Sequence, residues 1–129
     1  MNTSRPELQH TILIIEDEKV LLSLVSSILE EEGYRVLGAG DGLEAVEVLK
    51  KEKDAIGVVL SDLGIPNLSG GELFDALHQI KPGLRILATS GILDPALKEY
   101  LLSRGVFDFV EKPFLPEILL NVIEKAFQT

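Results

Sequence analysis

The sequence predicts an α/β fold, a doubly wound parallel sheet of five strands. Three observations carry that prediction. Short runs rich in Ile, Val, Leu and Phe recur along the 129 residues; segments of helical apolar periodicity separate them; and several of the runs are apolar at successive rather than alternate positions, as strands covered by helices on both faces must be.

In chain order the strands are "TILII" (11–15), "YRVLGA" (34–39), "AIGVVLS" (55–61), "LRILATS" (84–90) and "VFDFV" (106–110). The first, the third and most of the fourth are continuously apolar, whereas the fifth alternates, with Phe107 and Phe109 on one side and Asp108 on the other, which suits an edge. Between the first two strands, Leu21, Leu24, Val25, Ile28 and Leu29 form one apolar stripe closed by Gly33. "DGLE" (41–44) and "SGGE" (69–72) read as capping boxes opening the second and third helices. "DP" (94–95) and "LP" (115–116) put Pro at the first position of the fourth and fifth. The order βαβαβαβαβα with right-handed crossovers places helices on both faces.

Composition narrows the function. With 12 Lys and Arg against 21 Asp and Glu, the net charge of −9 argues against direct nucleic-acid binding by this chain. No Cys occurs, so thiolate metal sites, disulfides and a Cys nucleophile are excluded. No apolar stretch approaches the roughly 20 residues of a membrane span, and the first ten residues, read as a tail before a domain over 11–129, lack the apolar core of a signal peptide. A cytoplasmic domain is expected, with no membrane association.

In doubly wound sheets the ligand sits beyond the carboxyl ends of the strands. The groups falling there are Glu16, Asp17 and Glu18 after the first strand, Asp62 after the third, Ser90 after the fourth and Lys112 after the fifth. Crowded carboxylates raise one another's pKa unless a cation offsets them, and Mg²⁺ is commonly held by one or two carboxylates plus a phosphate oxygen. His10 and His78 fall away from these ends, so zinc is not expected. Lys112 and Ser90 add an ammonium and a hydroxyl suited to a phosphoryl group. Glu18 reads as a helix start favoured by the macrodipole, and Asp54 and Asp75 as solvated surface acids. No nucleotide-binding loop follows any strand; "GAGDGLE" (38–44) is turn chemistry.

"IIEDE", "VVLSDLGIPNLSGGEL", "ILATSG" and "FDFVEKPF" together resemble the signatures of two-component response-regulator receiver domains, over about residues 11 to 127. The resemblance implies a flavodoxin-like (βα)5 sheet of order 2-1-3-4-5. It implies Asp62 as phosphoacceptor, and Mg²⁺ or Mn²⁺ held by Asp17, Glu16, Asp62 and the backbone carbonyl of Gly64. It also implies Ser90 as the switch hydroxyl, Lys112 as the phosphoryl partner, Phe109 as an aromatic rotamer switch and a cis bond at Lys112-Pro113. Thr89 competes with Ser90 for the hydroxyl role.

The implied partners are a histidine kinase or phosphotransfer protein upstream, and downstream a protein or output domain reading the face made by the fourth helix, fifth strand and fifth helix. The protein would catalyse only its own phosphorylation and dephosphorylation and is not otherwise expected to be an enzyme. The chain closes on "NVIEKAFQT", the end of a fifth helix, so it reads as a stand-alone receiver or as a receiver cut from a hybrid histidine kinase or longer regulator. A haloacid-dehalogenase-type phosphatase needs a second Asp two residues after the nucleophile, where Gly64 stands. A flavodoxin-like flavin protein needs phosphate donors where the first strand ends in acids.

Overall fold

Five segments dominated by branched and aliphatic residues form the strands of a parallel sheet, in a computed structural model that describes residues 9–68 and 70–128. They are β1 (Thr11–Ile15), β2 (Arg35–Ala39), β3 (Ile56–Asp62), β4 (Arg85–Ser90) and β5 (Asp108–Glu111). The helices between and after them are α1 (Lys19–Glu31), α2 (Gly42–Glu52), α3 (Gly70–Ile80), α4 (Pro95–Ser103) and α5 (Pro116–Phe127). The sheet order is β2-β1-β3-β4-β5, all neighbours parallel. The alternating β5 lies at an edge, as its pattern predicts. β1 is buried at all five positions because both its faces carry helices.

Strand alternation sorts the core into two clusters. Ile12, Ile14, Val58, Leu60, Leu87 and Val110 face α1 and α5, where Val25, Leu29, Leu119 and Ile123 cover them. Leu13, Ile15, Val59, Ile86 and Ala88 face the other way, against Leu49 of α2, Leu73, Phe74 and Leu77 of α3 and Leu101 of α4.

The helix boundaries follow their capping chemistry. Asp41 Oδ1 accepts from the Glu44 N–H at 2.8 Å while the Glu44 carboxylate accepts from Gly40 N–H at 2.7 Å, a variant of the capping box whose return bond falls one residue before the N-cap. Asp94 caps α4 through Leu97 N–H, with Pro95 in the first turn, and Pro116 opens α5. Glu18 stands at the N-cap position of α1. Gly33 (φ +96°) ends that helix, its N–H bonded to Glu30 O, in a conformation an L side chain rarely adopts. The box expected at Ser69 lies outside the described residues.

Two expectations need correction. Leu24, placed in the buried stripe of α1, is exposed, because the stripe is wider than the strip of sheet it covers: Val25 and Leu29 reach the core, while Leu24 and Ile28 overhang the loop after β5. Asp75 is not simply solvated, since it forms an ion pair with Arg104, whose guanidinium also lies 5.4 Å from the Tyr100 ring centroid. Of the residues read as a tail, Gln9 donates to Gly33 O and His10 stacks on Phe127 at 4.3 Å, so these two lie against the domain.

Candidate phosphoacceptor and metal site

The alternation that builds the α1/α5 core continues past it. Glu16 extends the series Ile12, Ile14; Asp62 extends Val58, Leu60; Thr89 follows Leu87, and Lys112 follows Val110. Backbone pairing carries the ladder to these positions: Glu16 N–H donates to Ala39 O at 2.9 Å and Lys112 N–H to Ser90 O at 2.8 Å, while Asp62 is in register with Thr89. Glu16, Asp62, Thr89 and Lys112 line one small pocket floored by Ile14, Leu60 and Val25.

One carboxylate oxygen from each of Glu16, Asp17 and Asp62 can be chosen so that all lie within 4.8 Å of one another, with Glu16 buried, Asp62 half-buried and Asp17 exposed. Lys112 Nζ sits 3.3 Å from Glu16 Oε1 and 3.3 Å from Asp62 Oδ2. The remaining oxygens have backbone donors: Glu18 N–H to Glu16 Oε2 at 3.1 Å, and Gly64 N–H to Asp62 Oδ1 at 3.3 Å.

Burial pushes the Glu16 carboxyl above its ordinary range; Asp62 adds to the rise, and the Glu18 N–H and the Lys112 ammonium only partly oppose it. Burial pulls the Lys112 ammonium down, but the attraction of Asp62 and Glu16 outweighs that and holds it above an ordinary lysine. The two shifts are compatible, because Glu16 faces a like charge as well as its ammonium partner. The Lys112 ammonium pairs with Glu16 and Asp62, and the exposed Asp17 carboxylate adds a third acid to the cluster, so the site keeps an excess of oxygen ligands and negative charge. That donor set suits a hard divalent cation such as Mg²⁺.

The other predicted residues divide. Thr89 is 3 % exposed and lines the pocket. Ser90 follows Ala88 on the opposite alternation, and its hydroxyl is engaged in its own turn, donating to Ile92 O at 3.1 Å and accepting from Ile92 N–H at 3.3 Å. Phe109 packs half-buried against the α2–α4 cluster, on the same side as Ala88. Gly64 is exposed, and a Cβ there would meet nothing within 4 Å. The Lys112-Pro113 bond is cis, as the resemblance implies. His78 lies at the far edge of the sheet, its Nε2 3.0 Å from Leu84 O.

Sequence reasoning did not find two neighbouring features. Leu21, Leu24, Val25, Ile28, Phe114 and Pro116 line an open apolar groove of about 590 Å³ between α1 and the loop after β5, and Lys112 borders both this groove and the acidic pocket. The loop after Asp62 is tied to the start of α2 by Asn67 Nδ2, which donates to Asp41 Oδ2 at 3.2 Å. The overhang of Leu24 beyond the tighter Val25–Leu29 stripe is the available signal for the first. For the second it is an Asn in a turn that needs positive φ.

A five-stranded parallel 2-1-3-4-5 sheet with three acids and a lysine at its carboxyl edge defines a small flavodoxin-like α/β module with a charged site where such sheets hold their ligands. The chain belongs to the response regulator receiver domain family, whose sequence profile it matches over residues 12–124. It is 36% identical over 118 residues to the phosphoglycerate transport system transcriptional regulatory protein PgtA of Salmonella typhimurium, covering 92% of this chain and 28% of that protein. It is 27% identical over 118 residues to the sensor kinase CckA of Brucella abortus, covering 92% of this chain and 12% of the kinase. Among solved structures, the Vibrio cholerae chemotaxis protein CheY4 superposes with a TM-score of 0.86 at 27% identity, over 92% of this chain and 99% of that one. The chain thus spans less than a third of the length of either curated relative. No helix among the described residues is long and apolar enough to cross a membrane.

Proposed function

We propose that the protein is a phosphorylation-driven switch in which Asp62 accepts a phosphoryl group from the phosphohistidine of a histidine kinase or phosphotransfer protein. The observation that carries this reading is the convergence of Glu16, Asp17 and Asp62 beside a single ammonium, Lys112. An Asp62 carboxylate oxygen attacks phosphorus as the bond to the donor's imidazole nitrogen breaks; the electron pair leaves on that nitrogen, which takes up a proton. Glu16, Asp17, Asp62 and the Gly64 carbonyl would hold Mg²⁺ or Mn²⁺, which when bound neutralises charge developing on the phosphoryl oxygens. Lys112 supplies a positive charge to the same oxygens and is already held within reach of Asp62.

Phosphorylation exchanges the single negative charge of the Asp62 carboxylate for about two on the phosphoryl group, with three acceptor oxygens. To donate to one of them, the Ser90 hydroxyl must leave Ile92, and that movement frees space toward which Phe109 can turn, re-aiming the α4-β5-α5 face. Thr89 is the second candidate for the hydroxyl, being already in the pocket. Phe109 carries no hydroxyl, so its part is packing alone. The modification is the protein's own, without turnover of a separate substrate, and the setting is cytoplasmic. The downstream reader is a protein surface or an output domain. The short share of PgtA and CckA that the chain spans supports the alternative that it is a receiver of a longer regulator or hybrid kinase, with the same chemistry.

Incubation with MgCl₂ and a small acyl-phosphate donor is expected to add the mass of one phosphoryl group to the wild type and none to Asp62→Ala, measured on the intact protein. An unmodified wild type contradicts the proposal. Asp17→Asn is expected to lose Mg²⁺ affinity and phosphorylation together; unchanged Mg²⁺ affinity in that variant removes Asp17 from the ligand set.

A further inference from the structure

The loop between Asp62 and α3 runs through two non-glycine residues in the left-handed region, Asn67 (φ +52°) and Leu68 (φ +73°). Asn tolerates this conformation; Leu does so only where its surroundings impose it. What imposes it is the start of α2. Gly42 N–H donates to Pro66 O at 3.3 Å. The carbonyl oxygens of Asn67 and Leu68 lie so close over Gly42 that a Cβ there would fall 2.6 Å and 1.8 Å from them. Three successive carbonyls therefore rest on the positive end of a helix, where unpaired N–H groups and the macrodipole favour them. Asp41 is shared: Oδ1 caps Glu44 N–H and Oδ2 accepts from the Asn67 amide.

Gly64 lies between two fixed points. On one side is Asp62, the last residue of β3, with Leu63 N–H held by Thr89 O at 3.0 Å; on the other is Pro66, against Gly42. A Cβ on Gly64 would meet nothing within 4 Å, so beyond its own N–H to Asp62 Oδ1 its placement comes from these ends and from Ile65, which is buried in the core between them. We propose that Asp41, Gly42 and Asn67 are positioning residues for the cation site, forming a clamp that sets the Gly64 carbonyl relative to Glu16, Asp17 and Asp62. This rests on the reading of those groups as a Mg²⁺ site. It gives α2, which contributes no side chain to the pocket, a direct hold on the pocket's geometry. It also explains why the sequence spends a glycine at the first position of a helix, where an ordinary residue would serve the helix better.

The test compares Mg²⁺ affinity, followed by amide chemical shifts during titration with MgCl₂, in the wild type, Asn67→Gly, Gly42→Ala and Glu44→Ala. Asn67→Gly keeps a residue at ease with φ +52° and removes only the amide that holds Asp41. Glu44→Ala weakens the α2 cap through Gly40 without touching the loop, and controls for general loosening of the helix. Asn67→Gly is expected to bind Mg²⁺ about tenfold more weakly, the usual scale for losing a group that orients a metal ligand, and Gly42→Ala at least as weakly. Glu44→Ala is expected to melt at a lower temperature with affinity unchanged within about twofold of the wild type, since it leaves the clamp intact.

Wild-type affinity in Asn67→Gly, or an equal loss in Glu44→Ala, overturns the clamp while leaving the receiver reading intact. A wild type that neither binds Mg²⁺ nor takes up a phosphoryl group overturns that reading, and the clamp with it. Asn67→Gly decides the matter even where Gly42→Ala fails to fold.

Discussion

Glu16 is the most constrained of the site residues: 5 % exposed, beside Asp62, and answered by a share of one ammonium. Its pKa is raised above the ordinary 4.5, first by burial and then by Asp62. A carboxyl with a raised folded pKa binds its proton more tightly in the native state than in the unfolded one. Stability contributed by this residue is therefore greatest at low pH, and falls as pH climbs from about 4.5 through the folded value. Glu16→Gln removes the buried charge and keeps an oxygen for Lys112. In metal-free protein that variant is expected to melt higher than the wild type at neutral pH, with the difference shrinking as pH drops; thermal scans across pH 4 to 8 in chelator, a span of about four units around that titration, measure it. A variant less stable than the wild type at pH 7 would show that the Lys112 pairing outweighs burial. Lys112 works in the same sense in a higher window: its raised folded pKa contributes stability that is fully present below the ordinary 10.5 and is lost as pH rises from there through the folded value. These four polar residues, Glu16, Asp17, Asp62 and Lys112, were legible in the sequence because each falls within two residues of the end of a run read as an apolar strand, and a strand fixes where the residues just past it must be. Asn67 was not, because its partner Asp41 is 26 residues away and only the loop's positive φ turns the amide toward it.

Among the elements, α1 departs most from its sequence pattern, and the departure has a use. Leu24 stays exposed on one bank of the groove beside Lys112, Val20 is exposed earlier on the same helix, and Leu115 and Ile118 are exposed at the loop after β5 and the start of α5. A protein donor that brings a phosphohistidine to Asp62 must sit over this edge, since Lys112 borders both the groove and the pocket. Covering exposed Leu and Ile there gives such a donor apolar contact that a small acyl phosphate cannot make. Leu24→Asp is expected to lower the kcat/KM for transfer from a phosphohistidine donor protein by about tenfold, equivalent to about 1.4 kcal/mol, while phosphorylation by the small donor stays within about twofold, as the chemistry at Asp62 is untouched. Equal loss with both donors would place the effect in the pocket rather than at the groove. The helices and strands were readable to within a residue or two from periodicity and caps, down to Asp41, Asp94 and Gly33. Which face of an apolar stripe ends in solvent was not readable, because that depends on how far the covering sheet extends beneath it.

Across the molecule, holding strength is uneven in a way that suits a switch. β1 and β3 lie between two helical layers, and their apolar side chains are closed to solvent on both sides. By contrast, α4 buries only Leu101 fully. Much of its remaining attachment is polar and lateral: Arg104 pairs with Asp75 on α3, and Tyr100 reaches over Gly71, where a Cβ would come 2.4 Å from its hydroxyl. Exposed ion pairs add little, typically below about 1 kcal/mol, so α4 should open locally long before the sheet does. Native-state hydrogen exchange is expected to show α4 amides opening at free energies well below those of β1 and β3, with the latter exchanging only through global unfolding. Gly71→Ala, which pushes Tyr100 and Arg104 off α3, is expected to speed exchange in α4 several-fold, in keeping with a lateral contact worth about 1 kcal/mol, and leave β1 and β3 protection nearly unchanged. Uniform protection across α4 and the central strands would mean that α4 is held as firmly as the core. Phosphorylation of Asp62 would then have no loosely held element to move.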